Sequence, residues 1–598
     1  VITNPDEQLD DGQAWRQAGS LVVHKMLGEL SYEGMFEPEP VEDETPGAYR
    51  GWRLVLPGEV VYEFKARRGA FDSWSVQPGS ARRQGVPAED PRTLIVDART
   101  VLGLSGLRLA DVLSELTATV ANEAVRLQDA PSAEKLSTMD YNLADGHLTG
   151  HPRLVLNKGR VGFSAVDRES YAPESGTDIQ LRWFAVHRDH AQFRSVPELG
   201  EQLLLLDELD AEQRTEFTER VQEAGDPADY LWLPVHPWQA DEIIGTLYAA
   251  ELASGLLIDL GPSRDHYRPH QTVRTLANVS RPGRRDVKTA VSVRNTLVYR
   301  GLDSAATLAG PAVTSWLKQV SAADPLLSER YRFELLGEVA SVSVRHPLFG
   351  NLEELPYRFH ETLGALWREP LLSTLAEDEQ ALSFAALPYR DPEGNSVLTE
   401  LIRRSGLAAE EWLSRVLDLT LTPLLQWLLR YGVGFCPHGQ NLVLIVDQDG
   451  RPLRVAIKDF AQGVDLLDEE LDCYASLDPE VEMLRWPAHL LAQSLFSSVF
   501  SGQLRFWAEI LFDDLDLSRA RFWELVREIV RAYRAHNPDV AERFDACRLF
   551  APDVERVTLN REHLAGKGFD KVERDDEFDV RWGRAPNPLH APDPAGAW

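Results

Sequence analysis

Polar and apolar positions alternate most clearly between Lys288 and Arg300. Even positions are mostly polar (Lys288, Ser292, Arg294, Thr296, Arg300) and odd ones mostly apolar (Val291, Val293, Leu297, Tyr299), the period of a half-buried strand. Thr272–Val279 reads as its partner, joined through the turn-forming run Arg281-Pro-Gly-Arg-Arg-Asp286. Lys288 and Arg300 share a face but are roughly 40 Å apart along a straight strand at about 3.3 Å per residue. One small ligand reaches both only if the strand bends or breaks near Arg294-Asn295. Elsewhere, residues 8–30 and 107–128 read as helices, and residues 52–76 as three short antiparallel strands turning at Pro57-Gly58 and Gly69-Ala70. Tyr230–Val235 is strand-like, and a helix is expected near 357–376, carrying Arg368. From about residue 396 the pattern is mainly helical. Its main interruption is a hairpin, with strands Leu442–Val446 and Leu453–Ile457 around the turn Asp447–Gly450. The expectation is an α+β chain in three lobes, 1–135, 136–395 and 396–598, with an antiparallel sheet in the middle one.

Length supports that division, because 598 residues exceed what one core serves. Charge then singles out the alternating stretch. The chain carries a formal charge of −32, yet Arg264–Arg300 holds eight Arg and one Lys against Asp265 and Asp286. Such an island suits a small polyanion, whereas the acidic exterior repels nucleic acid. Arg284 and Arg285 read as a solvated turn; Arg274, Lys288 and Arg300, on the alternating strands, are the better ligand cations. Cys436, Cys473 and Cys547 are widely spaced with no CxxC, which points to a reducing compartment and away from a zinc or iron–sulfur site. The acidic N-terminus does not read as a signal peptide, and the apolar stretches near 413–435 and 488–512 are interrupted by polar residues, as in buried helices. A cytoplasmic protein without a membrane partner is expected.

Antiparallel pairing of the 442–457 hairpin brings His438, Gln440 and Asn441 close to Lys458 and Asp459. An imidazole, two amides and a carboxylate at one rim form a set able to hold a Mg²⁺-bound phosphate. His-Pro occurs at His151, His236 and His346. The proline holds each histidine extended; a turn or strand end is the plainer reading for the last two, while His151 has Lys158 and Arg160 following it. GxxxxGK[ST], HExxH and GxSxG are absent, which removes support for P-loop, zincin and hydrolase-elbow chemistry.

In this order, GHPRLVLNKGR (150–160), LPVHPWQ (233–239), TVRT (272–275), KTAVSVRNTLVYRGL (288–302), LGALWREP (363–370), HGQN (438–441) and KDF (458–460) resemble the IucA/IucC family of siderophore synthetases that act independently of nonribosomal peptide synthetases. The resemblance implies a cupped hand of fingers, palm and thumb, the thumb related to FhuF-type proteins, and a homodimer. It also implies an AMP-forming ligase, in which a carboxylate of citrate or a related acid attacks MgATP and the acyl-adenylate is captured by an amine or hydroxylamine. Carried over by motif position, Thr272, Arg274, Lys288, Arg368 and Gln440 contact ATP, and Asp459, with Asn441, binds Mg²⁺. His438 and Arg300 hold the activated carboxylate, and His151, Lys158 and Arg160 line the pocket between. Four positions depart from the family pattern. Thr272 replaces a usual Ser, Leu297 a usual Asn, Leu154-Val155 a second His-Pro, and Cys436 a Glu before HGQN. A kinase-like phosphotransferase competes on the strength of HGQN followed by KDF, but lacks the Asp base and an upstream Gly-rich loop. A ferric-siderophore redox protein competes through the FhuF relation, but lacks the closely spaced C-terminal cysteines it needs.

Overall fold

A computed structural model of the chain describes residues 11–41, 48–566 and 581–590. The first ten residues, most of the acidic loop at 37–47 and most of the last thirty, expected to wrap the surface or fray, lie outside that range.

The N-terminal core forms where the helices Asp11–Tyr32 and Gly106–Gln128 pack together over the antiparallel strands Arg50–Leu56, Val60–Arg68 and Trp74–Val76. Tyr62, Phe64 and Ala66 alternate inward along the second strand, the two-residue period at work. The central core lies against a six-stranded antiparallel sheet. Its order is Tyr267–Pro269, Thr275–Asn278, Asp286–Thr289, Gly364–Arg368, Glu338–Val344, Ala191–Ser195. Gly364–Arg368 corrects the helix expected over 357–376. Pro356 and Pro370 bracket the segment, and all five of its residues are buried between neighbouring strands, so sheet pairing overrides a helix-like apolar spacing.

The third core is mainly helical, built on Ala409–Arg430, Arg505–Leu515 and Arg519–His536. It also takes in side chains of the helix Ser304–Ala323 and of residues 382–389, so it crosses the cut expected at 395/396. The hairpin forms as expected from Leu442–Asp447 and Pro452–Lys458, inside a four-stranded sheet with Glu334–Leu336 and Glu379–Ser383.

The alternating stretch resolves its own distance problem. It runs as Asp286–Thr289 and then Val291–Asn295, reverses at Thr296-Leu297, and returns as Val298–Arg300. Arg300 pairs with Val291, three residues from Lys288, so a ligand of ordinary size can meet both cations.

Candidate active site

Segments 145–157, 271–300, 384–388, 436–465 and 486–507 border a cavity of about 1040 Å³. Its basic side is assembled by sheet register. Thr275 pairs with Lys288 and Asp286 with Arg368, so Lys288 and Arg368 share a face of the sheet, with Arg274 just ahead of the Thr275 pair. The Arg274 guanidinium donates to the Gly301 carbonyl, and Arg368 donates to Asp286 at 2.6 Å. Lys288 Nζ lies 2.5 Å from Asp459 Oδ1 and 3.8 Å from Glu338 Oε1. Burial works against charge on Asp459, yet Lys288, Arg274 and Arg368 together hold its carboxyl well below the usual range.

The hairpin rim supplies the other groups. Lys458 N donates to the Asn441 carbonyl at 3.2 Å, closing the two strand ends so that His438, Gln440, Asn441, Lys458 and Asp459 all face the cavity. Burial pushes His438 down to about 4, with Lys458 and Arg300 adding to the effect and Asp459 opposing it. Burial likewise holds His151 well below its ordinary range, helped by Lys25, Arg153, His438 and Arg300. Both rings are therefore neutral at pH 7. His151 Nδ1 accepts from the Arg153 and Leu154 amides at 3.2 and 3.1 Å, which leaves the ring proton on Nε2, able to donate. Arg300 folds over its hairpin turn, donating through Nε to the Asn295 carbonyl at 3.0 Å and through Nη2 to the Thr296 hydroxyl.

Three non-glycine residues in the left-handed region cluster here: Val273 (φ 61°), Thr296 (φ 62°) and Asp459 (φ 77°). Each costs on the order of 1–3 kcal/mol, more readily for a β-branched residue, and each immediately precedes or carries a cavity group. Thr272 accepts from the Thr275 amide at 3.2 Å, which anchors the same turn.

Two expected pocket residues are elsewhere. Lys158 and Arg160 do not border the cavity. Lys158 Nζ lies 2.9 Å from Glu123, 3.2 Å from Glu174 and 2.9 Å from the Leu148 carbonyl, and Arg160 forms a two-pronged pair with Glu174 at 2.7 and 3.0 Å. Both are 0–1% exposed, their charge already balanced. His236 and His346 take the plainer reading, each accepting a backbone amide through Nδ1 just after its strand. Arg284 and Arg285 stand against Asp207 and Glu208 rather than free in solvent. Most of the basic stretch is neutralised in this way, by Asp178 at Arg268, Asp265 at Arg281 and Glu115 at Arg294.

Sequence reasoning brought Lys458 to the hairpin rim without giving it a role, and missed Tyr141 and Asp145, as well as the wall formed by residues 486–507. Lys458 Nζ donates to Tyr141 Oη at 2.7 Å, and burial, reinforced by Arg368, pushes it down to about 8. The KDF motif was the available signal for Lys458. The wall contains a ten-residue stretch of π-helix, Leu495–Leu504, which in sequence is indistinguishable from any buried apolar helix.

Among the described residues no three acidic, histidine or cysteine side chains converge as a metal cage. Asp459 and Asn441 still fit a phosphate-bound divalent ion. The Asn441 Nδ2 is occupied at 3.0 Å by the Cys436 carbonyl, leaving its amide oxygen to offer, and Mg²⁺ ordinarily takes few protein oxygens with the remainder from phosphate and water.

Comparison with known proteins places the chain in a family. Over 97% of its length and 96% of the relative's, the chain is 33% identical to the rhizobactin siderophore biosynthesis protein RhbF of Rhizobium meliloti. Residues 140–389 match the IucA/IucC family. The chain belongs to that family. This synthetase is also 34% identical to aerobactin synthase of Escherichia coli over 91% of the chain and 93% of the relative. Residues 410–570 match the family described as ferric iron reductase FhuF-like transporter. Aerobactin synthetase IucC of Klebsiella pneumoniae superimposes with a TM-score of 0.84 at 31% identity, covering 97% of the synthetase and 99% of IucC, which agrees with the α+β architecture. No helix among the described residues is long and apolar enough to cross a membrane.

Proposed function

We propose that this siderophore synthetase activates a carboxylate of citrate or a related polycarboxylate with ATP and joins it to an amine or hydroxylamine. The observation that carries the reading is the gathering of Arg274, Lys288, Arg300, Arg368 and Lys458 with Asp459 and two neutral histidines in one cavity. A substrate oxygen attacks the α-phosphorus, the bond to pyrophosphate breaks, and an acyl-adenylate forms. The acceptor nitrogen then attacks the acyl carbon, the bond to AMP breaks, and the nitrogen gives up a proton.

The carboxylate is its own nucleophile, so the protein's task is to align and neutralise anions. Arg274, Lys288 and Arg368 face the triphosphate, with Thr272 and Gln440 beside the nucleotide. Arg300, His438 and His151 hold the carboxylate, the histidines as neutral donors. Bound at Asp459 and Asn441, Mg²⁺ would supply charge neutralisation to the phosphates. Cys436 also opens into the cavity, but burial, then Asp459, pushes its thiol up to about 11, so it stays protonated and is a poor competing nucleophile. A cytoplasmic homodimer completes the reading, in keeping with three unpaired cysteines.

The test is product identity with MgATP, hydroxylamine and citrate, succinate or α-ketoglutarate in turn. AMP and pyrophosphate formed with one acid support adenylation, and ADP with phosphate overturns it.

A further inference from the structure

His151 borders the cavity on a loop that is tied at its backbone as well as at its ring. The loop turns at Gly150, whose φ of 78° lies in the left-handed region, and a Cβ there would meet Asn157 Nδ2 at 2.9 Å. Asn157 Nδ2 donates to the Thr149 carbonyl at 2.8 Å and to the His151 carbonyl at 3.3 Å. A second donor reaches that carbonyl from the N-terminal lobe. Lys25, part-buried on the helix Asp11–Tyr32, places Nζ 2.5 Å from the His151 oxygen. A charged donor bonds roughly twice as strongly as a neutral one, so Lys25 is the stronger of the two ties.

The carboxylates around Lys25 have closer partners of their own. Glu29, one turn further along the same helix, lies 2.6 Å from Arg505, and Glu123 lies 2.7 Å from Arg126 and 2.9 Å from Lys158. The Lys25 ammonium is directed at a carbonyl instead. Burial pushes Lys25 down to about 8, with Glu29 and Glu123 opposing that shift and Lys158 adding to it. It therefore keeps its proton through the range in which histidines titrate. The charged and titratable groups acting on the His151 ring are Lys25 from the N-terminal helix, Arg153 from its own loop, His438 from the hairpin rim and Arg300 from the returning strand. All four disfavour a second ring proton, and Lys25 has the largest effect of the four.

We propose that Lys25, which does not itself border the cavity, is a positioning residue for adenylation: its hydrogen bond to the His151 carbonyl sets where the imidazole meets the substrate carboxylate. The proposal rests on the adenylation reading and extends it to a residue of the N-terminal lobe. The charge of Lys25 adds a second effect. A carboxylate oxygen loses negative charge as it attacks phosphorus, so an ion pair with an imidazolium would weaken on the way to the transition state and raise the barrier. A neutral Nε2–H orients the oxygen and loses less. By repelling the second proton, Lys25 keeps His151 in that form.

The experiment compares Lys25→Met, Lys25→Gln, His151→Gln and the Lys25→Met/His151→Gln double variant with the wild type. Citrate-dependent ATP–pyrophosphate exchange is followed from about pH 5 to about pH 8, alongside carbon-13 NMR of the full chain labelled at histidine Cε1. The His151 resonance is the one missing from His151→Gln. In Lys25→Met, KM for citrate should rise about 3–10-fold, the scale of one hydrogen bond to a charged group, with KM for ATP less affected. Its exchange near pH 5, relative to its own value near pH 8, should fall to about a tenth of the wild-type ratio, and the His151 resonance should titrate within that range. Lys25→Gln lacks the charge but keeps a donor, so it should show the same acid loss with a smaller rise in KM. The double variant should lose nothing in acid beyond His151→Gln. An acid limb and a His151 resonance that match the wild type in both Lys25 variants overturn the proposal, as does an equal rise in KM for ATP and citrate. Failure of the adenylation reading appears instead as absent exchange in the wild type, while the resonance still reads the hold of Lys25 on His151.

Discussion

Lys158 and Lys288 look alike in the sequence, two of nine lysines in a chain rich in arginine, each inside a motif and each near other cations. The structure separates them. Lys158 does not border the cavity and is held by Glu123, Glu174 and a backbone carbonyl. Lys288 borders the cavity and is held by Asp459, itself a cavity group. The first pairing is a closed account of charge within the protein. The second joins a cation suited to phosphate and a carboxylate suited to a metal, so nucleotide with Mg²⁺ can replace each partner's neighbour without leaving either unpaired. Burial and ion pairing alone do not distinguish structural from functional charge; access to the cavity does.

The sharpest test of the sealed side is Lys158→Met. Removing the cation leaves Glu123 and Glu174 buried with less compensation, and breaking a buried pair costs about 3–5 kcal/mol. Urea unfolding should show that loss. Acid should expose it as well. Burial pushes both carboxyls up, but Arg126 and Lys158 outweigh it at Glu123, and Arg160 and Lys158 at Glu174, holding each at about 2 against an ordinary 4.5. A carboxyl lowered on folding contributes stability above its unfolded pKa, and that contribution is lost as pH falls from about 4.5 toward 2. In Lys158→Met the native carboxyls titrate closer to 4.5, so this part of the stability profile should flatten. An unchanged urea midpoint would erase the distinction between the two lysines.

On the cavity side, Arg300→Ala and His438→Ala should each reduce ATP–pyrophosphate exchange by about 10²–10³-fold, the scale of one lost oriented donor, while ATP still binds. Near-normal exchange with saturating carboxylate would remove that residue from the carboxylate site. Lys288→Met should act at the other end. Its expected effect is ATP binding weakened by about tenfold or more, with stability changed by less than in Lys158→Met, because Arg274 and Arg368 still compensate Asp459. Titration calorimetry and the same urea series read both quantities.

Much of the frame was legible because it rests on local periods: the N-terminal strands, the helix Gly106–Gln128, and the hairpin that brings His438 to Asp459. What escaped depended on long-range pairing. Gly364–Arg368 reads as helix until strands on both sides claim it. Lys158 and Arg160 read as pocket residues because their partners, Glu123 and Glu174, carry no motif of their own. The wall at 486–507 is apolar like any core helix, and only tertiary placement makes it face a ligand. Charge also misled by count: the basic stretch is rich in cations, but those at Arg268, Arg281, Arg285 and Arg294 balance nearby carboxylates.

Leu297 offers the smallest and most selective test. It borders the cavity at the turn that reverses the strand, between Thr296, which accepts from Arg300, and Val298. A polar residue there could reach the same carboxylate as Arg300, whereas Leu adds surface without a donor. Leu297→Asn should therefore shift KM among citrate, succinate and α-ketoglutarate by about 3–10-fold, the scale of one hydrogen bond to a charged group, with KM for ATP less affected. A matching shift in KM for ATP would place this turn beside the nucleotide instead, and with it the boundary between the two halves of the basic side.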